Sequence, residues 1–370
     1  MIGEDYPVWG KMAKHGKFML WQFLLIVQLA FVGSIIGCGN DLNSSSDEAD
    51  RLTLGAFSVT REVFHDGLIP AFQQHWIQKS GRRVEFEESY LASGALSRAI
   101  NGGFDADVAL FSLDPDVEAL VKTGLVEKDW NAGQHAGHVV RSLVVIAFRP
   151  GNPKRIGDWR DLAKPDVSVV YADPKTSGGA RWNLLAVASA GFWPEGLKAD
   201  EKNANPAKAA ELLTDVQKQV TVMDGSGRQS LATFLRQTGD AIVTYENDPV
   251  QYQRITGQPL PYVIPNRTIW IEMPAVEIAG VTQKNGRSAL AKAFLEFLKS
   301  PEAVDIWGQF GFRPVEGSGE VKGLPPVPQD VVTVESFGGW KKAREDLFGN
   351  EGLWTKSFLK KPDANQEKKP

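Results

Sequence analysis

A single cysteine in 370 residues has no partner for an internal disulfide, so ordinary core packing must hold this chain together. There are five histidines, with no Cys-x-x-Cys or His-Glu-x-x-His spacing, so a metal centre would have few ligands to draw on. His135 and His138 stand close together without an acidic neighbour in sequence, and are read as exposed loop histidines. Net charge is slight: 41 basic against 45 acidic side chains give −4. That leaves no basic field for nucleic acid. A Gly-x-Ser-x-Gly elbow, a Rossmann fingerprint and a P-loop are all missing, and no nucleophile is paired with a base. The chain is therefore expected to be neither an enzyme nor a holder of any cofactor or metal. No internal repeat of fixed period is visible.

Long apolar runs are absent with one exception. Phe18 to Ile36 is almost wholly apolar, follows Lys11, Lys14 and Lys17, and ends in Ile35-Ile36-Gly37-Cys38. A basic flank, a short apolar core and a small residue before the cut form an export signal. The cysteine placed directly after that small residue resembles the lipobox of bacterial lipoproteins. The expectation is a signal peptide over 1–37, a lipid on Cys38 and a polar tether over 38–50. This places the protein in the periplasm or cell envelope, anchored to a membrane. An uncleaved anchor is the alternative. Residues 360–370 read as a polar tail.

From Arg51 onward, short strand-like runs alternate with helical ones, which implies parallel sheet flanked by helices, an α/β fold. The most informative stretch is Asp173-Pro174-Lys175-Thr176-Ser177-Gly178-Gly179-Ala180-Arg181-Trp182-Asn183. It follows an apolar strand, Val167 to Ala172, and opens a helix. First-turn amides of a helix have no intrahelical partner, and two glycines let an anion approach them closely. An ordinary capped helix is the other reading of the stretch alone. Five strand ends deliver small or polar residues: at Ser58, at Ser93, at Ser177, around Ser226 to Ser230, and at Tyr245. Ligands of open α/β sheets sit beyond such carboxyl ends. Ser142 to Phe148 is a dense apolar strand that divides the five into two and three, and a cleft between two lobes follows. Pro70 is expected to kink the first helix. Pro274 marks Trp270 to Ile278 as an edge strand or a crossing point.

The Pro-Lys-Thr-Ser-Gly-Gly-Ala-Arg-Trp-Asn string, with Gly151-Asn152-Pro153-Lys154, Asp158-Trp159-Arg160-Asp161-Leu162, Thr60-Arg61-Glu62, Ser93-Gly94 and Phe337-Gly338-Gly339-Trp340, resembles the sulfate/thiosulfate-binding proteins of ABC importers. The likeness spans nearly all of 51–348. It implies a type II periplasmic-binding-protein-like fold, with one lobe from 51–144 plus 272–359 and the other from 145–271. It also implies a monomer that takes sulfate or thiosulfate in the interlobe cleft and delivers it to a membrane permease with a cytoplasmic ATPase. By that resemblance the anion takes backbone N–H bonds from Ser58, Ser93, Gly178, Gly179 and Ser230, a hydroxyl bond from Ser177, and a side-chain donor from Tyr245. Thr60, Arg61, Arg181 and Arg228 are then bracing residues behind the site. All the donors suit a fully ionised anion, whereas a protonated one would leave its own donor without an acceptor. Three positions depart from the family pattern: Ser58 stands where Asp is usual, Ser230 where Ala is usual and Tyr245 where Trp is usual. Molybdate or phosphate is the alternative ligand, and a non-transporting anion sensor the alternative role.

Overall fold

The computed structural model describes residues 49–194 and 196–359. The expected signal peptide, Cys38, nearly all of the tether and the tail lie outside them. The tether ends sooner than expected, because β1 (Asp50–Phe57) begins at Asp50. That carboxylate accepts bonds from Trp76 Nε1 at 2.9 Å and from Arg82 Nη2 at 2.6 Å.

A 3-10 turn over Ser58–Thr60 leads from β1 into α1 (Arg61–Val63), a π-helical turn over Phe64–Leu68, and α2 (Ile69–Ser80). The Pro70 irregularity is therefore a widened turn. Proline has no N–H to give, and the Ile69 amide reaches five residues back to Phe64. Next come β2 (Val84–Leu91), α3 (Ser93–Asn101), β3 (Val108–Leu110), α4 (Asp114–Lys122) and the long β4 (His138–Phe148). The second half runs β5 (Val169–Ala172), α5 (Gly178–Phe192), α6 (Pro206–Gln219), β6 (Val220–Asp224), α7 (Gly227–Leu235), β7 (Ala241–Tyr245), α8 (Asn247–Thr256), β8 (Tyr262–Val263) and β9 (Trp270–Glu277). Helices α9 (Ala279–Asn285), α10 (Ser288–Phe297), α11 (Pro301–Gln309), α12 (Gly339–Phe348) and α13 (Leu353–Leu359) complete the described chain.

The strands lie in the order β2-β1-β3-β9-β4-β7-β5-β6, with β8 on β4. Each flank is parallel: β2, β1 and β3 on one side, and β7, β5 and β6 on the other. The two long strands between them, β9 and β4, are antiparallel to each other and to their outer neighbours. The sheet is thus mixed where simple alternation implied parallel. Pro274 sits at a crossing point and not at an edge. It is the last residue of β9 opposite β4, across from His138, while Ala275 already faces Leu110 of β3. Its carbonyl accepts from Phe111 N at 2.9 Å, and the missing N–H falls where the strand changes partner.

Helix α5 is buried nearly all round, as a helix apolar on every face must be. It packs on α6, and Trp182 meets Trp340 of α12 edge-on at 4.5 Å. Helix α13 packs on α6 as well. The last helices therefore join the half built around β5 to β7, where the sequence placed them with the first. The apolar faces of both helices find their cover there.

Candidate functional site

Because both flanks are parallel, the carboxyl ends of β1, β2 and β3 and those of β5, β6 and β7 each deliver a turn and a helix start. The structure brings the ends of β1, β2, β5, β6 and β7 together around a cavity of about 20 Å³. Ser58, Ser93, Ser177, Gly179 and Tyr245 line it, as do Asn183, Ser226, Gly227, Thr244 and Asp248. A space this small excludes large organic ligands and suits a compact ion. No Lys or Arg is among the lining residues, so direct contacts to an anion fall to amides, hydroxyls and helix ends.

Ser177 caps α5: its Oγ accepts from Ala180 N at 3.4 Å, and its own amide is spent on Asp173 O at 2.8 Å. The hydroxyl proton is left to donate. Gly178 and Gly179 are the first two residues of α5, so their amides have no intrahelical acceptor. Both glycines are needed for closeness. A Cβ on Gly178 would lie 3.1 Å from Leu113 Cγ and 3.2 Å from Ser93 Cβ, and one on Gly179 would lie 3.2 Å from Tyr245 Oη. Gly178 thus packs behind the cavity while Gly179 faces it. Ser93 opens α3, whose start has no side-chain cap. Its hydroxyl is fully occupied, donating to Asp116 Oδ2 at 2.5 Å and accepting from Ser112 N at 2.9 Å. Only its amide can serve a ligand. Tyr245 ends β7, and its Oη lies 2.7 Å from Ser112 Oγ. Burial pushes the phenol well above its ordinary range, so it stays protonated.

Ser230 requires a correction. Helix α7 starts at Gly227, four residues before the expected Leu231, so the Ser230 amide already bonds Ser226 O at 3.0 Å. It is not a free donor. The Ser230 hydroxyl is instead a buried group with no partner, and Gly227 supplies the helix start at the cavity. The signal was in the sequence: Ser226-Gly227-Arg228-Gln229 has the Ser-x-x-Gln spacing of a capped N-terminus, and Ser226 Oγ does accept from Gln229 N at 3.3 Å.

Thr60 is buried and its hydroxyl donates to Phe57 O at 2.8 Å, holding the turn that presents Ser58. Arg181 donates to Pro174 O at 3.1 Å and braces the α5 loop. Arg228 reaches from α7 across to the first half, with Nε 3.2 Å from Ser58 O and a guanidinium contact to Glu62. Arg61 is exposed at the start of α1. The histidines also differ from expectation. His138 begins β4 and is half-buried, 2.8 Å from Asp114 Oδ1, and His135 lies 3.1 Å from Glu316 Oε1. Acidic partners distant in sequence hold both. Among the described residues no group of three or more His, Cys, Asp and Glu could hold a metal ion.

Asp248, in α8, gave no signal in the sequence. Burial pushes its carboxyl up from 3.8 to about 6, against the opposing bond from Thr244 and the charge of Arg228. The folded chain therefore holds this proton more tightly than the unfolded one. The cost of the carboxylate is absent below pH 3.8 and complete above about 6. Asp248→Asn is expected to raise the thermal midpoint above the wild type's at neutral and higher pH, and to match it below 3.8. A gap of the same size at both ends would exclude titration of Asp248 as its cause.

Two parallel-stranded flanks joined by crossing strands, with a polar cavity at their carboxyl ends, define a two-lobed, type II solute-binding architecture. The chain belongs to the bacterial extracellular solute-binding protein family, whose profile spans residues 52–313. It is 34% identical over 334 residues to the sulfate-binding protein of Synechococcus elongatus, covering 88% of this chain and 93% of that one. It is 31% identical over 334 residues to the thiosulfate-binding protein of Pseudomonas aeruginosa, covering 89% and 98%. Among solved structures, the sulfate-binding protein SubI from Mycobacterium tuberculosis superposes with a TM-score of 0.72 at 34% identity, covering 81% of this chain and 99% of that one. The chain is thus a solute-binding component and not a catalyst.

Proposed function

We propose that this protein captures sulfate or thiosulfate in the cavity at the strand ends and delivers it to an ABC-type permease driven by a cytoplasmic ATPase. The observation that carries the reading is the convergence of the α3, α5 and α7 starts on a small cavity without a cationic side chain. The donors are the amides of Ser58, Ser93, Gly178, Gly179 and Gly227, with the hydroxyls of Ser177 and Tyr245 and, in place of its amide, the hydroxyl of Ser230. Such a set satisfies the four acceptor oxygens of a fully ionised tetrahedral anion, and water is excluded by closure of one lobe on the other. Relatives named for sulfate and for thiosulfate, at 31–34% identity over most of this chain, support those two anions. The lobes in this reading are 51–144 with 272–333, and 145–271 with the helices over 334–359. Cys38 carries the lipid that holds the monomer to the membrane, which the mass of the mature amino terminus tests.

One observation favours a second ligand class. Asp248 places a carboxylate in the lining, an acceptor that a protonated oxyanion such as hydrogen phosphate could use. Calorimetric titration of the soluble chain from Gly39 onward with sulfate, thiosulfate, molybdate and phosphate decides between them. Heat with sulfate or thiosulfate and none with phosphate is expected; phosphate in first place would assign the cavity to the second class.

A further inference from the structure

Ser112 lies two residues past the end of β3, outside the cavity lining, and its backbone is pinned on both sides. Its amide donates to Ser93 Oγ at 2.9 Å, and its carbonyl accepts from Trp182 Nε1 at 2.7 Å. The Ser93 hydroxyl is committed to Asp116. The Ser112 side chain, fully buried, has one hydrogen-bond neighbour, Tyr245 Oη at 2.7 Å. The bond joins the two halves of the molecule, since β3 belongs to one flank of the sheet and β7 to the other.

Each hydroxyl of this pair has one proton, and only one proton can lie between the two oxygens. If Tyr245 donates to Ser112, the spare proton rests on Ser112, which does not face the cavity, and the phenol offers a ligand only lone pairs. If Ser112 donates to Tyr245, the phenol proton turns into the cavity. An anion with acceptor oxygens alone stabilises the second arrangement. The two bonds then run in one direction and polarise each other, Ser112 to Tyr245 to anion. A phenol is also the more acidic hydroxyl, and a charge-assisted bond from it is the stronger use of its proton.

We propose that Ser112 is a positioning residue for anion recognition: it donates to Tyr245 Oη and thereby commits the phenol to donate to the bound oxyanion. The proposal rests on the reading of the cavity as an oxyanion site. It also explains how tyrosine, which can both donate and accept, serves where only a donor is wanted. Tyr245 fills the role only with a fixed donor behind it.

A double-mutant cycle on the full chain tests this, with sulfate as titrant and the Tyr245 Cζ resonance followed in tyrosine-labelled protein. The chain has six tyrosines, and Tyr245→Phe assigns the resonance by its disappearance. Sulfate is expected to shift that resonance strongly in the wild type and weakly in Ser112→Ala. Ser112→Ala should bind sulfate about tenfold more weakly and Tyr245→Phe about 10- to 100-fold more weakly. The double variant should be no weaker than Tyr245→Phe. An unchanged affinity and an unchanged shift in Ser112→Ala, alongside a loss in Tyr245→Phe, would overturn the proposal and leave the site standing. If the wild type binds no oxyanion, the reading of the cavity fails and the proposal falls with it.

Discussion

Arg313→Met is expected to destabilise the fold by about 3–5 kcal/mol, the largest single-residue effect foreseen in this molecule. Arg313 and Glu246 are both fully buried. The guanidinium donates to Glu246 Oε2 at 2.5 Å and Oε1 at 2.7 Å, and to the carbonyls of Gly319 at 2.9 Å and Pro325 at 2.7 Å. Burial already pushes the Glu246 carboxyl up, and Arg313 is the main influence pulling it back. Without the arginine a buried carboxylate stands unpaired, and the 314–330 loop loses its tie to the end of β7. Urea unfolding measures the effect: the midpoint should fall while the slope holds. Arg313→Met combined with Glu246→Leu should recover most of the loss, because the penalty comes mainly from the uncompensated charge. A single variant within about 1 kcal/mol of wild type would show that Glu246 escapes the penalty, by taking up a proton or by reaching water.

The second large effect falls mainly on binding. Gly179→Val should lower oxyanion affinity roughly 100-fold or more, because it removes two charge-assisted hydrogen bonds at once. The new Cβ, 3.2 Å from both Oη and Cε1 of Tyr245, must push the phenol aside, and its methyl groups then cover the α5 amides. The backbone at this position takes an ordinary helical conformation, so the cost to folding should be confined to displacing the buried phenol, about 1–3 kcal/mol. Titration with sulfate checks the affinity, and the thermal midpoint checks that the fold survives. Wild-type affinity in this variant would place the anion elsewhere than at the start of α5.

Much of this was legible from the residues. The strand Ala241 to Tyr245 falls where its β-branched run and following polar turn place it, and the Ser-Gly-Gly turn opens a helix as its composition demands. The five strand ends do meet at one cavity, because each parallel flank gathers its carboxyl ends on one side and the antiparallel β9 and β4 between them set the two flanks head to head. What was hidden depended on contacts between residues far apart in sequence. His138 reads as a loop residue until Asp114 is seen beside it, 24 positions away. Asp248 and Ser112 look like ordinary residues after a strand; only packing shows that one lines the cavity and that the other backs Tyr245. The Ser230 amide was assigned as a donor by the family likeness, and the apolar periodicity that starts at Leu231 hid the true start of α7. Its first turn is polar, so that turn had to be read from its cap. The final helices were grouped with the first half on chain order, yet their apolar faces match α5 and α6.

The account turns on donors holding the anion in the cavity, and pH separates that from its rival most directly. The calorimetric titration of the chain from Gly39 onward would be run with sulfate and with phosphate across phosphate's second ionisation. Sulfate should bind at every pH, more tightly as Asp248 takes up its proton near the bottom of the range, while phosphate stays silent. Phosphate binding that strengthens in its protonated form and exceeds sulfate would contradict the account. Asp248 would then be the acceptor at the heart of the site.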